Sequence, residues 1–278
     1  MRIILLLLIA CWVPALWAND YQEFNYPGGV VILTVDKRSP EIPYVRYGTQ
    51  EPVIIDQGVR WKLVIGIGLN QLPGEYLVYF RHADEDQTVN FLRFEVEHRP
   101  YLSIEPKHNI EQKLPRPKTL SELDFKNTAP LALPLKPPAD TVWDPSFGHY
   151  LSQEKNEQSV RQRFSYARVE SNSPIKAPQT GIVSKIMTQK RGLSSLIIDH
   201  GSGAFSLIHG FGEIIPAIGY GVTQGEVIGF SPTGEGNTTR SKKDSDNLAE
   251  IYWQFQLNGE LVDPLVLQLI AYNPKPIN

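Results

Sequence analysis

Apolar positions along this chain come in short runs rich in Val, Ile, Leu and aromatic residues, each closed by Gly, Pro, Asn or Asp. Nowhere do they sustain a helical period, so the pattern is that of strands. In the first third, residues 28–35, 53–56, 61–67, 75–80 and 89–97 read as strands. The last alternates cleanly, with Phe91, Arg93, Glu95 and Glu97 on one face and Leu92, Phe94 and Val96 on the other. Leu72-Pro73-Gly74 supplies a turn between two of these runs. The prediction is a small β domain over residues 19–104.

Residues 105–140 differ. Pro106, Pro115, Pro117, Pro130, Pro134, Pro137 and Pro138 stand among Lys and Glu. Such density forbids a regular ladder and favours extended, partly solvated chain, with room for one short helix at 120–125. This predicts a Pro-rich linker. Strand signals return over residues 141–278, at 181–187, 194–199, 204–209, 226–230 and 249–257. Asn258-Gly259 then precedes Glu260-Leu261-Val262-Asp263, and Asn-Gly between apolar runs is a two-residue hairpin signal. The fold class predicted is mostly β, two antiparallel regions joined by the linker.

The first eighteen residues stand apart. Arg2 precedes an apolar run from Ile3 to Ala10, Pro14 interrupts it, and Ala18 comes just before polar Asn19-Asp20. This is a secretory signal pattern with cleavage after Ala18. A spanning helix would need about twenty apolar residues, so no membrane span is expected in the mature chain. The competing reading is a lipoprotein signal, because Leu8-Ile9-Ala10-Cys11 fits the run before a lipidated Cys. Cys11 is the only cysteine, so cleavage at Ala18 leaves no disulfide, no thiol nucleophile and no Cys-bound zinc. The 278 residues carry a net charge of −3, which argues against a broad basic surface for nucleic acid or anionic lipid.

Phe147-Gly148, residues 174–183, residues 197–203, residues 221–229, Thr233-Gly234 and residues 257–265 follow one another through the third region, and as an ordered set they resemble the LytM/lysostaphin family of zinc metallopeptidases, which cut peptidoglycan cross-bridges. Phe147-Gly148 opens the match. Residues 174–183 (PIKAPQTGIV) resemble the family's P-V-x-A-P-x-x-G-x-V, and 197–203 (IIDHGSG) its V-x-I-D-H-G-x-G. Residues 221–229 (GVTQGEVIG), Thr233-Gly234 and 257–265 (LNGELVDPL) resemble the segments that follow. In the first domain, residues 27–31 and 61–74 resemble a β domain that precedes the peptidase in some proteobacterial members.

The resemblance implies where the site stands. Counting from the matched motifs puts Gln162 at the His and Tyr166 at the Asp of the family's first zinc motif. Glu250 and Tyr252 fall at the two His of its last motif, and Gly210 at a further catalytic His. A one-residue slip would give that place to His209. All five positions differ from the family, and Gln and Tyr are poor zinc donors. The family's zinc is therefore expected to be absent, and with it the activated water and polarised carbonyl of the peptidase. His209 and Trp253 are candidates to line the vestigial groove. His200 reads as a structural residue of a Gly-rich turn and His149 as a surface-loop residue. The polar stretch 235–249 reads as a solvated loop, with a partner-binding or groove-covering role as its functional alternative.

These expectations lead to an exported, periplasmic protein that binds peptidoglycan or a cell-wall hydrolase such as an amidase, and regulates it. One alternative is an active peptidoglycan metalloendopeptidase built on His149, His209 and Glu250. Another is a structural glycan- or protein-binding module that works through the N-terminal β domain.

Overall fold

A computed structural model describes residues 24–85, 88–99, 103–104, 131–151, 160–188, 193–233 and 248–270. The signal segment with Cys11, the 105–130 part of the Pro-rich stretch and most of the 235–249 loop lie outside the described residues. The N-terminal region holds β1 (Val30–Asp36), β2 (Tyr44–Arg46), β3 (Val53–Asp56), β4 (Arg60–Gly66), β5 (Gly74–Arg81) and β6 (Asn90–Val96). They form two antiparallel sheets, ordered β1-β4-β3 and β2-β5-β6, packed face to face. Val31, Leu33, Trp61, Leu63, Ile65, Val78, Phe80, Phe94 and Val96 fill the space between them. Alternation within β5 and β6 sends one set of side chains into this core and the other outward.

Short strands β7 (Ser103–Ile104), β8 (Trp143–Asp144), β9 (Tyr150–Leu151) and β10 (Val160–Arg161) lead into the C-terminal region. There follow β11 (Ser165–Glu170), β12 (Pro174–Lys176), β13 (Gly181–Thr188), β14 (Ser194–Gly201) and β15 (Ala204–Phe211). The series ends with β16 (Glu213–Ile214), β17 (Gly221–Val222), β18 (Val227–Phe230), β19 (Leu248–Leu257), β20 (Glu260–Val262) and a single helical turn, α1 (Val266–Leu269). Eight of these make one sheet in the order β17-β13-β14-β15-β19-β11-β8, with β20 paired to the end of β19. A smaller sheet, β12-β18-β16, packs nearby. The protein is mostly β, and no helix among the described residues is long and apolar enough to cross a membrane.

The two regions share a core. Strand β4 is buried from Trp61 through Gly66 without alternation, because its sheet is covered on both faces. Val30, Val53 and Val64 turn away from the N-terminal core and join Leu257, Val262 and Val266. Gly66 marks the closest approach: a Cβ there would stand 2.9 Å from the Leu257 carbonyl oxygen and 3.0 Å from a Val262 methyl. The Asn258-Gly259 turn takes φ values of 53° and 85°, as a type I′ hairpin requires. Its Asn258 side chain donates to the Glu51 carbonyl. Glu260 accepts from Gln50 at 3.0 Å, which ties the hairpin to the N-terminal lobe.

The last ten residues of the stretch read as a linker, 131–140, form no strand but pack against the fold. Leu131, Leu133 and Leu135 are buried in the shared core while Ala132 and Pro134 face out. Backbone hydrogen bonds from Leu135 to Leu267 and from Lys136 to Pro178 fix the strap.

Candidate functional site

Three neighbouring strands build the site. In β11, Tyr166 lies directly across from Tyr252 of β19, and Tyr252 directly across from His209 of β15. Side chains opposite one another in a sheet share a face, so the three rings form a cross-strand row. Ring centroids are 6.1 Å apart for Tyr166 and Tyr252, and 5.9 Å for His209 and Tyr252. Phe164, just before β11, meets the Tyr252 ring edge-on at 5.2 Å. His209 and Tyr252 are 4% and 6% exposed, so the row is packed and Tyr166 is its accessible end.

Two residues further back along β19, Glu250 shares the face of Tyr252. The Tyr252 hydroxyl donates to the Glu250 carboxylate, which also pairs with Arg168 Nε at 3.6 Å. Burial and the adjacent Glu250 charge push the Tyr252 phenol far above its ordinary value. It is a hydrogen-bond donor and not a phenolate. On the other side, His209 Nδ1 lies 2.7 Å from the Ser195 hydroxyl. Ser195 is fully buried, so this Ser–His pair has no open side on which an electrophile could sit.

Gln162 is buried, and its Nε2 donates to the Ser146 hydroxyl and to the Phe164 carbonyl at 3.2 Å. Its backbone is bracketed by the loop before β9: Gly148 N–H donates to the Gln162 carbonyl and Gln162 N–H to that of His149, both at 2.8 Å. Gln162 is thus held at the head of β11, and the Phe147-Gly148-His149 loop is a clamp on it. Burial, with the Arg99 charge, pushes the His149 imidazole below its ordinary value.

Gly210 brings no side chain and could not carry one. It is the extra residue of a β-bulge, since Ser194 faces Phe211 while Ser195 already faces His209. Its φ is +107°, and a Cβ would stand 2.4 Å from the Glu250 carbonyl oxygen. The unbroken register of β15 on β19 makes His209 the imidazole that reaches the row. Trp253 is a correction: as the neighbour of Tyr252 on a strand it points to the opposite face. There it donates to Ser206 Oγ at 3.2 Å and packs edge-on against Trp143, within the shared core. It lines no groove. His200 lies on that core side too, with Nδ1 3.0 Å from the Thr180 carbonyl and Nε2 2.9 Å from Ser206 Oγ. Burial pushes its imidazole down to about 4.

The donor chemistry does not suit zinc. A catalytic zinc takes imidazole, thiolate or carboxylate from about three protein ligands. Gln162 offers a neutral amide, and Tyr252 a phenol held protonated. Tyr166 is a second phenol. Among the described residues no group of three or more His, Cys, Asp or Glu is arranged to hold a metal ion, the set His149, His209 and Glu250 included. What the arrangement can do is present an aromatic edge backed by a hydrogen-bonded carboxylate. Phe164, Arg168 and Ser195 belong to it and were missed from sequence. Only strand register places Ser195 opposite His209, and local sequence does not carry register.

No protein-family model matches the chain, and no curated protein matches it in sequence. Solved structures do match. A Pseudomonas aeruginosa protein assigned to the M23 peptidases aligns with a TM-score of 0.62 at 24% identity, over 87% of this chain and 94% of the other. A zinc-containing peptidase from Vibrio cholerae aligns at a TM-score of 0.32 and 14% identity, over 68% of this chain and 49% of the other. The antimicrobial peptidase lysostaphin from Staphylococcus simulans aligns at 0.30 and 18%, over 41% and 50% respectively. The Pseudomonas likeness takes in both β regions. The chain has the fold of an M23 peptidase.

Proposed function

We propose that this chain is an exported cell-envelope protein whose M23-type site serves as a contact surface, binding peptidoglycan or a cell-wall amidase and regulating it. One observation carries the reading: at the position of the family's second His of the last motif stands Tyr252, its hydroxyl spent on Glu250 and its ring packed between Tyr166 and His209. A site of that kind binds through aromatic surface and offers no metal-activated water. The signal pattern of residues 1–18 supports export to the periplasm, with lipid anchoring through Cys11 as the alternative.

The test begins with the purified protein, which should hold no stoichiometric zinc by elemental analysis and release no muropeptides from peptidoglycan. One equivalent of zinc together with chelator-sensitive release would overturn the proposal. Combining Gln162→His, Tyr166→Asp and Tyr252→His should bring in one equivalent of zinc, since all three places stand on or beside the cross-strand row. For regulation, the rate of a purified cell-wall amidase is measured with and without the protein. Tyr166→Ala should abolish the change in rate.

A further inference from the structure

Around the link between β16 and β17 the chain carries no charge from Ile214 to Gly225. The middle of this stretch is a tight turn. Tyr220 N–H donates to the Ala217 carbonyl at 3.1 Å, and Gly219 takes φ +86°, a position that favours glycine. Three more backbone bonds lock the turn to its neighbours, from Gly219 to Val183, from Val183 to Tyr220 and from Ile215 to Ile228. Residues 217–221 are all exposed, so the turn stands proud of the surface. Yet it presents Ile215, Ile218 and Tyr220, which are 56%, 63% and 57% exposed, and Ile182 of β13 lies beside it across from Gly221. Large apolar side chains gathered on a rigid projection mark a contact site.

Charges of both signs stand at the base of this tip. Lys136 Nζ lies 4.0 Å from where a Cβ on Gly225 would stand, and Lys185 shares the β13 face of Ile182. Lys176, across from Val227, pairs with Asp140. Glu226 accepts from the Thr223 N–H and hydroxyl, and Glu213 precedes the tip on β16. Ammonium and carboxylate groups balance there, which complements the phosphate and ammonium groups of a zwitterionic lipid headgroup. Lysine stems can lie along an apolar zone while their ends reach phosphate, and tyrosine favours the boundary between the two. A second copy fits less well, because a stable dimer buries about 800 Å² a side, more than four partly exposed side chains supply. We propose that the 215–220 turn is a membrane-docking tip that dips its apolar side chains into a zwitterionic lipid surface. Tyr166 stands on β11, five strands from β17 in the same sheet. At about 4.8 Å a strand that is about 24 Å, so a docked tip leaves the site open to a second contact. The proposal does not depend on what that site binds.

Co-sedimentation with phosphatidylcholine vesicles tests it, using purified protein that begins at Asn19 so that the apolar leader cannot insert. The described fold starts later, at residue 24. The parent should sediment with the vesicles, and molar salt should change its affinity less than about twofold, since apolar burial carries the contact. Ile218→Ser with Tyr220→Ser should weaken binding about tenfold or more, and Ile218→Trp should tighten it. Melting temperatures of these variants should stay near that of the parent, because the replaced side chains face solvent. Site variant Tyr166→Ala should sediment like the parent. Full binding by the double serine variant, or none by the parent, would overturn the tip and leave the site reading untouched. Loss of binding in molar salt would assign the contact to charge and overturn it as well. A parent that is dimeric in vesicle-free ultracentrifugation, beside a monomeric double serine variant, would give the patch to a second copy instead.

Discussion

The two faces of β19 have been put to opposite uses. Ile251, Trp253, Phe255 and Leu257 point into the core that joins the two lobes, and each is fully buried. Glu250 and Tyr252, alternating with them, carry the hydrogen-bonded aromatic row on the other side. The histidines divide in the same way. His200 is held between Thr180 and Ser206 against the Phe255 ring on the core side, while His209 reaches Tyr252. Because successive side chains of a strand face opposite ways, chemistry on one face can be rewritten while the packing that fixes the strand stays as it was. Here the site face carries tyrosine and glutamate while the core face keeps its packing.

Breaking the core face should cost most. Trp253→Ala removes a fully buried indole and should lower unfolding free energy by about 3–5 kcal/mol, read from denaturant midpoints. A loss below about 1 kcal/mol would erase the distinction between the faces.

Acidification separates them next. The folded state keeps His200 neutral down to about pH 4, while the unfolded chain takes up the proton near 6.5. Its contribution is present above pH 6.5 and is lost as pH falls towards 4, a change of about 3 kcal/mol. Asp263, buried where the lobes meet, runs the other way. Burial pushes its carboxyl up to about 6 from 3.8, so its contribution is full below 3.8 and is lost as pH rises through 6. Urea midpoints across this range should therefore tilt in opposite senses for His200→Gln and Asp263→Asn. Parallel profiles would sink the assignment.

The smallest effect belongs to the site face. Tyr252→Phe deletes one donor to a carboxylate that Arg168 still pairs, and should cost about 1 kcal/mol in a thermal melt. A loss as large as that of Trp253→Ala would mean that the row holds the fold together as firmly as the core does.

Much of this was legible in the sequence. The apolar runs found β13, β14, β15, β19 and five of the six N-terminal strands to within a residue or two, and Asn258-Gly259 announced its hairpin. Strand β2 escaped because it is only three residues long and directly follows Pro43. So did β11, whose Ser-Tyr-Ala-Arg-Val-Glu has too little apolar weight to stand out beside its neighbours. Of the places counted from motif spacing, Tyr166, Glu250 and Tyr252 share one face of β11 and β19, and Gln162 stands just before β11. Gly210 against His209 was out of reach, since only the register of β15 on β19 places His209 opposite Tyr252. Trp253 was within reach: period-two alternation already forbids it the face of Tyr252. The apolar run Leu63-Val64-Ile65 of β4 likewise carried the signal of a sheet covered twice.

Gly66 has a wider consequence. With backbone pressed so near the Leu257 carbonyl that no methyl group fits between, the two lobes have no hinge where they touch. A single added methyl group at Gly66 would therefore have to pry β4 away from the β19–β20 hairpin, so one atom's room sets whether the two lobes close on each other.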